Sequence, residues 1–403
     1  MKKYKWVGKI GRLICVVLAL CVCVSCSKVR HEDQKTYKLE DYVNRGDAST
    51  PEPASAVDEI TEVVAEEDDQ EPVTYKVTSE MSADDILSLA DMSSLMYIDA
   101  KDSDEYLAIH YLQDVMPDTS VEWVFREGGE VYSPEVTSIA ISEHDKVSVA
   151  LTVLENLRSI DLLGIDVTVE DLDKWYEIRP DVFYLCNMSF GKWSVRTDLT
   201  IFSTLQPGSV DIHRYTDDEM YPLFKYCKKL RALDVGHNDL VDMTLIGELS
   251  DLQILIIGDN PHIVDISPLA NLKELWYLEA FMTDGVEDFT PLSECTKMVD
   301  INIGYNHNVD NLSFLDTMPN IINGWFLGNE GITTAEIRKY EAMYPDATLI
   351  YGKAPGKPDS MAYGWRSTVR NTAIRKAFTN WKSVIEFRAW DDVDYLDIQK
   401  NGK

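Results

Sequence analysis

Apolar residues recur along the chain with a period of 22 to 23 residues from Leu230 onward. Within each repeat, two apolar positions alternate with more variable neighbours, as expected of a strand with one buried face. These inward pairs are Leu233 and Val235, Leu255 and Ile257, Leu278 and Ala280, and Ile301 and Ile303. The pattern therefore predicts one short strand per repeat, with every pair directed into a common core.

A polar residue follows each predicted strand, at Asn238, Asn260, Thr283, Asn306 and Asn329. A short polar side chain at a bend can hydrogen-bond backbone groups that the bend leaves unpaired. Together the apolar and polar positions follow LxxLxLxxN, the pattern of leucine-rich repeats. We therefore predict an α/β fold over residues 212–352: a leucine-rich-repeat solenoid with a parallel sheet on its concave face and a C-terminal cap.

A longer repeat precedes the solenoid, over residues 80–211. Its two copies are offset by 62 to 63 positions, so that Ile98 corresponds to Ile160 and Pro117 to Pro180. Each copy predicts a strand, a helix that ends before the proline, a hairpin and a second strand. The first half of this unit returns near Thr333, where a Thr-x-x-Glu helix start and a later proline indicate the cap.

The amino-terminal residues indicate export. Basic residues up to Arg12 precede an apolar run from Leu13 to Val24, which is too short to span a bilayer. The ending Val24-Ser25-Cys26 resembles a bacterial lipobox, with Cys23 where leucine is usual. We expect residues 1–26 to be a signal peptide, Cys26 to be lipidated, and the protein to be anchored at the extracellular face of the cytoplasmic membrane. Residues 27–79, rich in Asp, Glu, Pro and Ser, are expected to form a disordered acidic linker.

Several motifs carry a family resemblance: SIDLLGIDVT, RPDVFYL, LRALDVGHN, DISPLANL and Gly364-Trp365-Arg366. On these motifs, residues from about Ser94 to Gly364 resemble a group of leucine-rich-repeat lipoproteins of anaerobic Gram-positive bacteria. The shorter repeats are similar to those of internalins. The resemblance implies an exported, non-enzymatic recognition module, and it supplies no catalytic residue.

Strand positions beside the inward pairs should line the concave face. An apolar and aromatic patch is expected there from Ile256, Tyr277, Phe281 and Trp325, bordered by Asp234, Glu279 and Asp300. Clustered aromatic side chains with a polar rim are typical of a recognition surface. We predict that these seven residues bind a protein, peptide or glycan at the cell surface. The alternative is that the chain's own C-terminal tail covers them.

That tail, residues 353–403, reverses the charge of the chain. Residues 353–388 hold eight basic and two acidic side chains, whereas the whole chain has a net charge of −31. One helical face is expected to hold Val369, Ala373, Ile374, Ala377, Phe378 and Trp381. Two interpretations stay open: the helix folds back onto the acidic solenoid, or it contacts an anionic wall polymer.

Other function classes receive less support. The acidic charge argues against nucleic acid as a partner. No hydrolase, zinc-protease, P-loop or dinucleotide motif occurs, so we expect no enzymatic activity, no cofactor and no metal. Cys186, Cys227 and Cys295 lack metal spacing and are expected in the core as free thiols. We expect a monomer; the alternatives to a binding protein are a structural envelope protein and a cell-envelope hydrolase.

Overall fold

The computed structural model describes residues 73–190, 193–204, 213–352, 365 and 368–379. The chain divides into two compact units between Tyr184 and Leu185. The signal peptide, Cys26, the acidic linker up to residue 72 and Trp381 lie outside the described residues, so the predictions for them stay predictions. The linker prediction is wrong for its last residues, since Val73–Lys76 is a strand that pairs with Leu95–Asp99. In the described part of the chain, no helix combines the length and apolar character needed to cross a bilayer.

The first unit begins with a parallel three-stranded sheet, in the order β1-β2-β3. Its elements are β1 (Val73–Lys76), α1 (Ala83–Leu87), β2 (Leu95–Asp99), α2 (Tyr106–Val115) and β3 (Ser120–Glu122). Helix α1 starts with a capping box, in which the Ser82 hydroxyl accepts the Asp85 backbone N–H and the Asp85 side chain accepts the Ser82 backbone N–H. The buried side of α2, including Ile109 and Leu112, belongs to the core of this unit.

A hairpin and a second three-stranded sheet complete the first unit, the sheet in the order β6-β7-β8. The elements are β4 (Phe125–Glu127), β5 (Glu130–Tyr132), β6 (Ser138–Ala140), α3 (His144–Val153), β7 (Ser159–Asp161), α4 (Val169–Ile178) and β8 (Phe183–Leu185). The hairpin turn uses Gly128 and Gly129, both with positive φ, as a tight two-residue turn requires. The order strand, helix, hairpin, strand follows the predicted long repeat.

The second unit contains a hairpin and a parallel seven-stranded sheet, in the order β11 to β17. Its strands are β9 (Asn187–Phe190) and β10 (Trp193–Arg196) in the hairpin, then β11 (Ile201–Ser203), β12 (Ala232–Asp234), β13 (Ile254–Ile256), β14 (Tyr277–Glu279), β15 (Asp300–Asn302), β16 (Asn323–Trp325) and β17 (Thr348–Ile350). The helices are α5 (Asp217–Phe224), α6 (Thr244–Gly247), α7 (Thr334–Met343) and α8 (Val369–Thr379). Short 3-10 turns replace the helix in three repeats, at Ser267–Asn271, Thr290–Glu294 and Ser313–Thr317.

The register of the sheet places equivalent residues of successive repeats side by side. Leu233 pairs with Leu255, Leu255 with Leu278, and Leu278 with Ile301. All four side chains are fully buried, as the alternation predicted. The fold is therefore a leucine-rich-repeat solenoid of mixed α/β elements.

The predicted polar positions form a hydrogen-bonded ladder inside the solenoid. Asn260 shows the pattern: its Nδ2 donates to the carbonyls of Val235 (3.0 Å) and Ile257 (2.8 Å), and its Oδ1 accepts the Leu240 N–H at 3.1 Å. Each amide thus joins its own repeat to the preceding one. The side chains of the ladder are at most 5% exposed, so they satisfy backbone groups that water cannot reach.

The residue before each ladder position has a left-handed backbone, which sequence reasoning did not predict. The positions are His237, Asp259, Met282, Tyr305 and Gly328, with φ between +54° and +77°. Only one of the five is glycine, the residue that adopts this conformation without strain. The bend recurs because every repeat must turn sharply at the end of its strand to bring the ladder side chain inward.

The three free cysteines of the described chain are buried, as predicted. Cys227 and Cys295 are fully buried in the positions of the repeat that usually hold leucine. Burial raises the pKa of the Cys186 thiol to about 11 and that of Cys295 to about 12.

Candidate functional site

The predicted binding residues lie together on one face of the seven-stranded sheet. This face, which we call the outer face, is formed by the strand residues on either side of the inward position. The register places Asp234 beside Ile256, and Ile256 beside Glu279. Tyr277 is beside Asp300 on the next strand. The sheet thus brings side chains from four repeats into one surface.

The expectation that these side chains are exposed is wrong. Their exposed fractions are 3% for Asp234, 5% for Ile256, 0% for Tyr277, 2% for Glu279, 9% for Phe281, 1% for Asp300 and 5% for Trp325. The period-two alternation gave the direction of each side chain correctly. It contains no information about a distant segment that packs over the sheet.

Helix α8 is that segment. Arg370 pairs with Asp300 through two hydrogen bonds, Nε to Oδ2 at 2.7 Å and Nη2 to Oδ1 at 2.6 Å. Both side chains are 1% exposed, so this is a buried, bidentate ion pair. Of the two interpretations of the tail, the structure thus shows the helix folded back onto the acidic solenoid.

Asn371 makes the second polar contact of α8. Its Nδ2 donates to the Tyr277 hydroxyl at 2.5 Å and to Glu279 Oε1 at 3.3 Å. The Tyr277 hydroxyl also hydrogen-bonds the Glu279 carboxylate. Burial and the nearby Glu279 charge raise the pKa of Tyr277 well above its usual value, so the phenol stays protonated as a donor.

Aromatic contacts continue the interface upstream of α8. The Trp365 ring lies 5.5 Å from the Tyr277 ring and 5.5 Å from the Trp325 ring, measured between centroids. Trp365 is itself 2% exposed. Such tilted aromatic pairs stabilise an interface beyond the apolar area that they bury.

The buried side of α8 differs from the predicted apolar face. Ile374 and Phe378 are buried, as expected, but Ala373 is exposed and Ala377 is only partly buried. The side chain of Val369 lies outside the described residues. Because Arg370 and Asn371 must meet the carboxylates of the outer face, the buried side of the helix is rotated away from the alanines.

The carboxylates of the outer face differ in their partners. Asp300 has Arg370, whereas Asp234 accepts hydrogen bonds from the Ser203 hydroxyl at 3.1 Å and from the Gly236 N–H at 3.2 Å. Burial raises the pKa of Asp234 to about 6, and the Glu279 charge adds to this shift, while Arg375 opposes it. The face therefore holds a carboxyl group that becomes protonated under mildly acidic conditions.

Three polar atoms at this interface have no hydrogen-bond partner within the described ranges: Trp325 Nε1, Trp365 Nε1 and Asn371 Oδ1. Burying a polar group without a partner costs about 1–3 kcal/mol. The aromatic and ionic contacts of the tail segment must therefore outweigh the cost of burying these three unpaired polar atoms.

Sequence reasoning missed the residues that fill the outer face, namely Trp365, Arg370 and Asn371. Two signals pointed toward them: the reversal of charge in the tail and the Gly364-Trp365-Arg366 motif. Neither signal gives the register of the helix on the sheet. That register depends on a pairing of Arg370 with Asp300 across 70 positions of sequence.

A second polar cluster lies beyond the carboxyl ends of β12 and β13 and connects neighbouring repeats. Arg214 bonds Asp239 Oδ1 at 2.7 Å and Asp259 Oδ2 at 3.2 Å, and His237 Nδ1 lies 2.7 Å from the same Asp259 oxygen. The charged and polar groups of this cluster are thus hydrogen-bonded to one another. Across the part of the chain that the structure describes, no group of three or more His, Cys, Asp or Glu residues is placed to hold a metal ion.

No known protein family matches the sequence, and no similar curated protein was found. Among solved structures, the chain is similar to internalin InlF of Listeria monocytogenes, with 18% identity and a TM-score of 0.34, over 69% of this chain and 86% of the internalin. Internalin C2 of the same organism is 17% identical, with a TM-score of 0.28, over 57% of this chain and 88% of that one.

A leucine-rich-repeat protein of Leptospira interrogans is 12% identical, with a TM-score of 0.27, over 65% of this chain and 91% of that protein. The solenoid assignment itself rests on the strand register and the asparagine ladder of this chain.

Proposed function

We propose that the protein is a recognition module of the cell surface, anchored by a lipid on Cys26, and that the outer face of its leucine-rich-repeat sheet binds a polypeptide partner. The observation that carries this proposal is the buried Arg370–Asp300 pair, since it places a helical segment on the predicted binding residues. A polypeptide is favoured over a glycan because this face already accommodates a helix.

The outer face combines the features of a binding surface. Its aromatic side chains Tyr277 and Trp325 are held by short strands whose register is fixed on both sides. Aromatic residues and well-packed ion pairs dominate the binding energy of protein interfaces. A partner that replaces α8 would therefore find its anchor points already arranged.

The cellular arrangement that we propose follows from the order of the sequence. A lipid at Cys26 would hold the chain at the extracellular face of the membrane, and the acidic segment 27–72 would act as a spacer. Like charges extend such a segment, which would place the folded units away from the membrane.

The test is site-specific photo-cross-linking on intact cells that carry the full chain. A photoreactive residue at Met282, which is 41% exposed in the bend after β14 and follows the outer-face residue Phe281, samples the rim of the outer face. The control position is Val264, which is 62% exposed in the loop after β13. We expect one discrete adduct from position 282 that is absent from position 264 and is lost when Asp300→Asn is added.

Two alternative functions give different results. A structural envelope protein without a specific ligand would cross-link equally from positions 264 and 282, and Asp300→Asn would change neither pattern. A cell-envelope hydrolase would turn over members of a panel of sugars and peptides. Either result would overturn the proposed function.

A further inference from the structure

We infer that the outer face is a receptor site for a basic amphipathic helix of a partner protein, and that α8 occupies this site within the same chain until such a helix displaces it. This inference rests on the proposed function and names the chemistry of the partner.

The contacts of α8 define which helix fits. Arg370, Ile374 and Phe378 are spaced by four residues and are all buried, so they lie on one side of the helix. Asn371, next to Arg370, contacts Tyr277 and Glu279. The face thus selects an arginine for Asp300, an amide beside it, and apolar side chains one and two turns further along.

The charge of the outer face favours a cationic partner. Asp234, Glu279 and Asp300 are each at most 3% exposed, so none of them is screened by direct contact with solvent. Arg370 pairs directly with Asp300. Arg375 is close enough to lower the pKa of Asp234, but among the described contacts the Asp234 carboxylate accepts hydrogen bonds only from the Ser203 hydroxyl and the Gly236 N–H. A helix with a second cation nearer to Asp234 would match this face better than α8 does.

The fit of α8 leaves room for a competitor. Trp325 Nε1 on the sheet, and Trp365 Nε1 and Asn371 Oδ1 in the tail segment, have no hydrogen-bond partner among the described residues. A partner helix that offers an acceptor to Trp325 Nε1 would satisfy a donor that α8 leaves unpaired. Two of the three unpaired atoms also leave the interface when the tail segment is displaced, because they belong to Trp365 and Asn371 of that segment.

The connection of α8 to the solenoid determines how displacement works. Twelve residues, 353–364, separate Gly352 from Trp365 in the sequence. A tethered helix rebinds at an effective concentration in the millimolar range, so it competes with any free helix. The apparent affinity of a partner is then its intrinsic affinity multiplied by the fraction of molecules in which α8 has left the face.

The experiment uses the full chain and a fluorescent peptide with the sequence of residues 365–379, WRSTVRNTAIRKAFT. Arg370→Gln in the protein removes the pair with Asp300 and weakens the occupant, while the outer face itself is unchanged. We expect this variant to bind the peptide at least tenfold more tightly than the unmodified chain does, as measured by fluorescence anisotropy. A peptide that carries Arg370→Gln should bind neither protein measurably.

The matched control is Ala373→Gln in the full chain, since Ala373 lies on the exposed side of α8. It should bind the peptide as weakly as the unmodified chain. If Arg370→Gln does not fold, Asn371→Ala in the full chain replaces it, because it removes the contacts to Tyr277 and Glu279 and keeps the ion pair.

Two results would overturn the inference. One is the absence of peptide binding by the folded weakened variant, which would show that the face accepts no helix from outside. The other is a stable dimer on light scattering, formed by exchange of α8 between two copies in place of peptide binding. Peptide binding without a cellular cross-link would contradict the proposed function but not the receptor site, so the two failures are distinguishable.

Discussion

Single side chains of the ladder connect neighbouring repeats, and one position breaks the pattern. At Thr283 the hydroxyl donates to the Ala280 carbonyl at 2.9 Å, but threonine has no amide to reach the preceding repeat. Asn306, by contrast, bonds both Ala280 and Ile303. We therefore expect substitutions at an asparagine of the ladder and at Thr283 to change the free energy of unfolding in opposite directions.

We expect Asn260→Ala to lower the free energy of unfolding by about 1–3 kcal/mol, because it leaves the buried Ile257 carbonyl and the Leu240 N–H without this partner. The Val235 carbonyl keeps its hydrogen bond from Asn238 and loses only the one from Asn260. Thr283→Asn should raise it by about 0.5–1.5 kcal/mol, by adding a donor toward the preceding repeat. Urea unfolding of the two variants measures both. Equal effects would mean that the ladder contributes through side-chain volume alone.

Asp234 gives the solenoid a pH dependence of defined sign. Its pKa is about 6 in the folded chain and about 3.9 when unfolded, so between these values the folded state holds more protons. The free energy of unfolding due to this group therefore rises as the pH falls from 7 to 4, by about 1–3 kcal/mol. Asp234→Asn should remove this dependence and stabilise the protein most at pH 7.5. A stability difference between the two proteins that is the same at pH 4 and pH 7.5 would contradict the assignment.

At the scale of elements, strands and helix α8 differ in what the sequence could predict. The strands follow from local alternation: Leu255 and Ile257 must share a face, and the repeat places the next pair beside them. The left-handed bends could not be predicted from the sequence, because residues such as Met282 and Tyr305 rarely adopt a positive φ. The seven predicted site residues lie on one face of the sheet, as the alternation indicated. Their burial depends on the tail segment, and no periodicity relates Arg370 to Asp300.

Helix α8 should undock before the solenoid unfolds. Arg370→Ala leaves the Asp300 carboxylate buried without its cation, a situation that costs about 3–5 kcal/mol unless the cover opens. Because opening relieves this cost, we expect amide protons of α8 to exchange at least tenfold faster, while those of β13 and β14 keep their protection. Hydrogen exchange with mass spectrometry measures both segments in one experiment.

The double variant Arg370→Gln with Asp300→Asn is the control for this prediction. It retains hydrogen-bonding capacity without buried charge, so α8 should regain part of its protection. Fast exchange throughout the sheet in Arg370→Ala would instead mean that α8 is an integral part of the solenoid core.

At the scale of the whole molecule, the sequence predicts an anchored protein through residues that the structure does not describe. We expect Cys26→Ala to release the mature chain from the membrane fraction or to block its processing, because the acylated residue is lost. Fractionation and electrophoretic mobility measure this. Unchanged membrane partitioning and mobility would show that Cys26 carries no lipid.

The buried cysteines affect how the protein resists oxidation, and they offer a way to follow its local unfolding. With their thiol pKa values raised far above neutrality, Cys186 and Cys295 expose almost no thiolate to oxidants or to a second thiol. If the chain is exported, as we propose, it can therefore keep reduced cysteines without acquiring adventitious disulfides. The same property makes the thiols reporters of local unfolding. An alkylating reagent would modify each thiol only when the structure around it opens, so the order of modification would give the order in which these regions unfold.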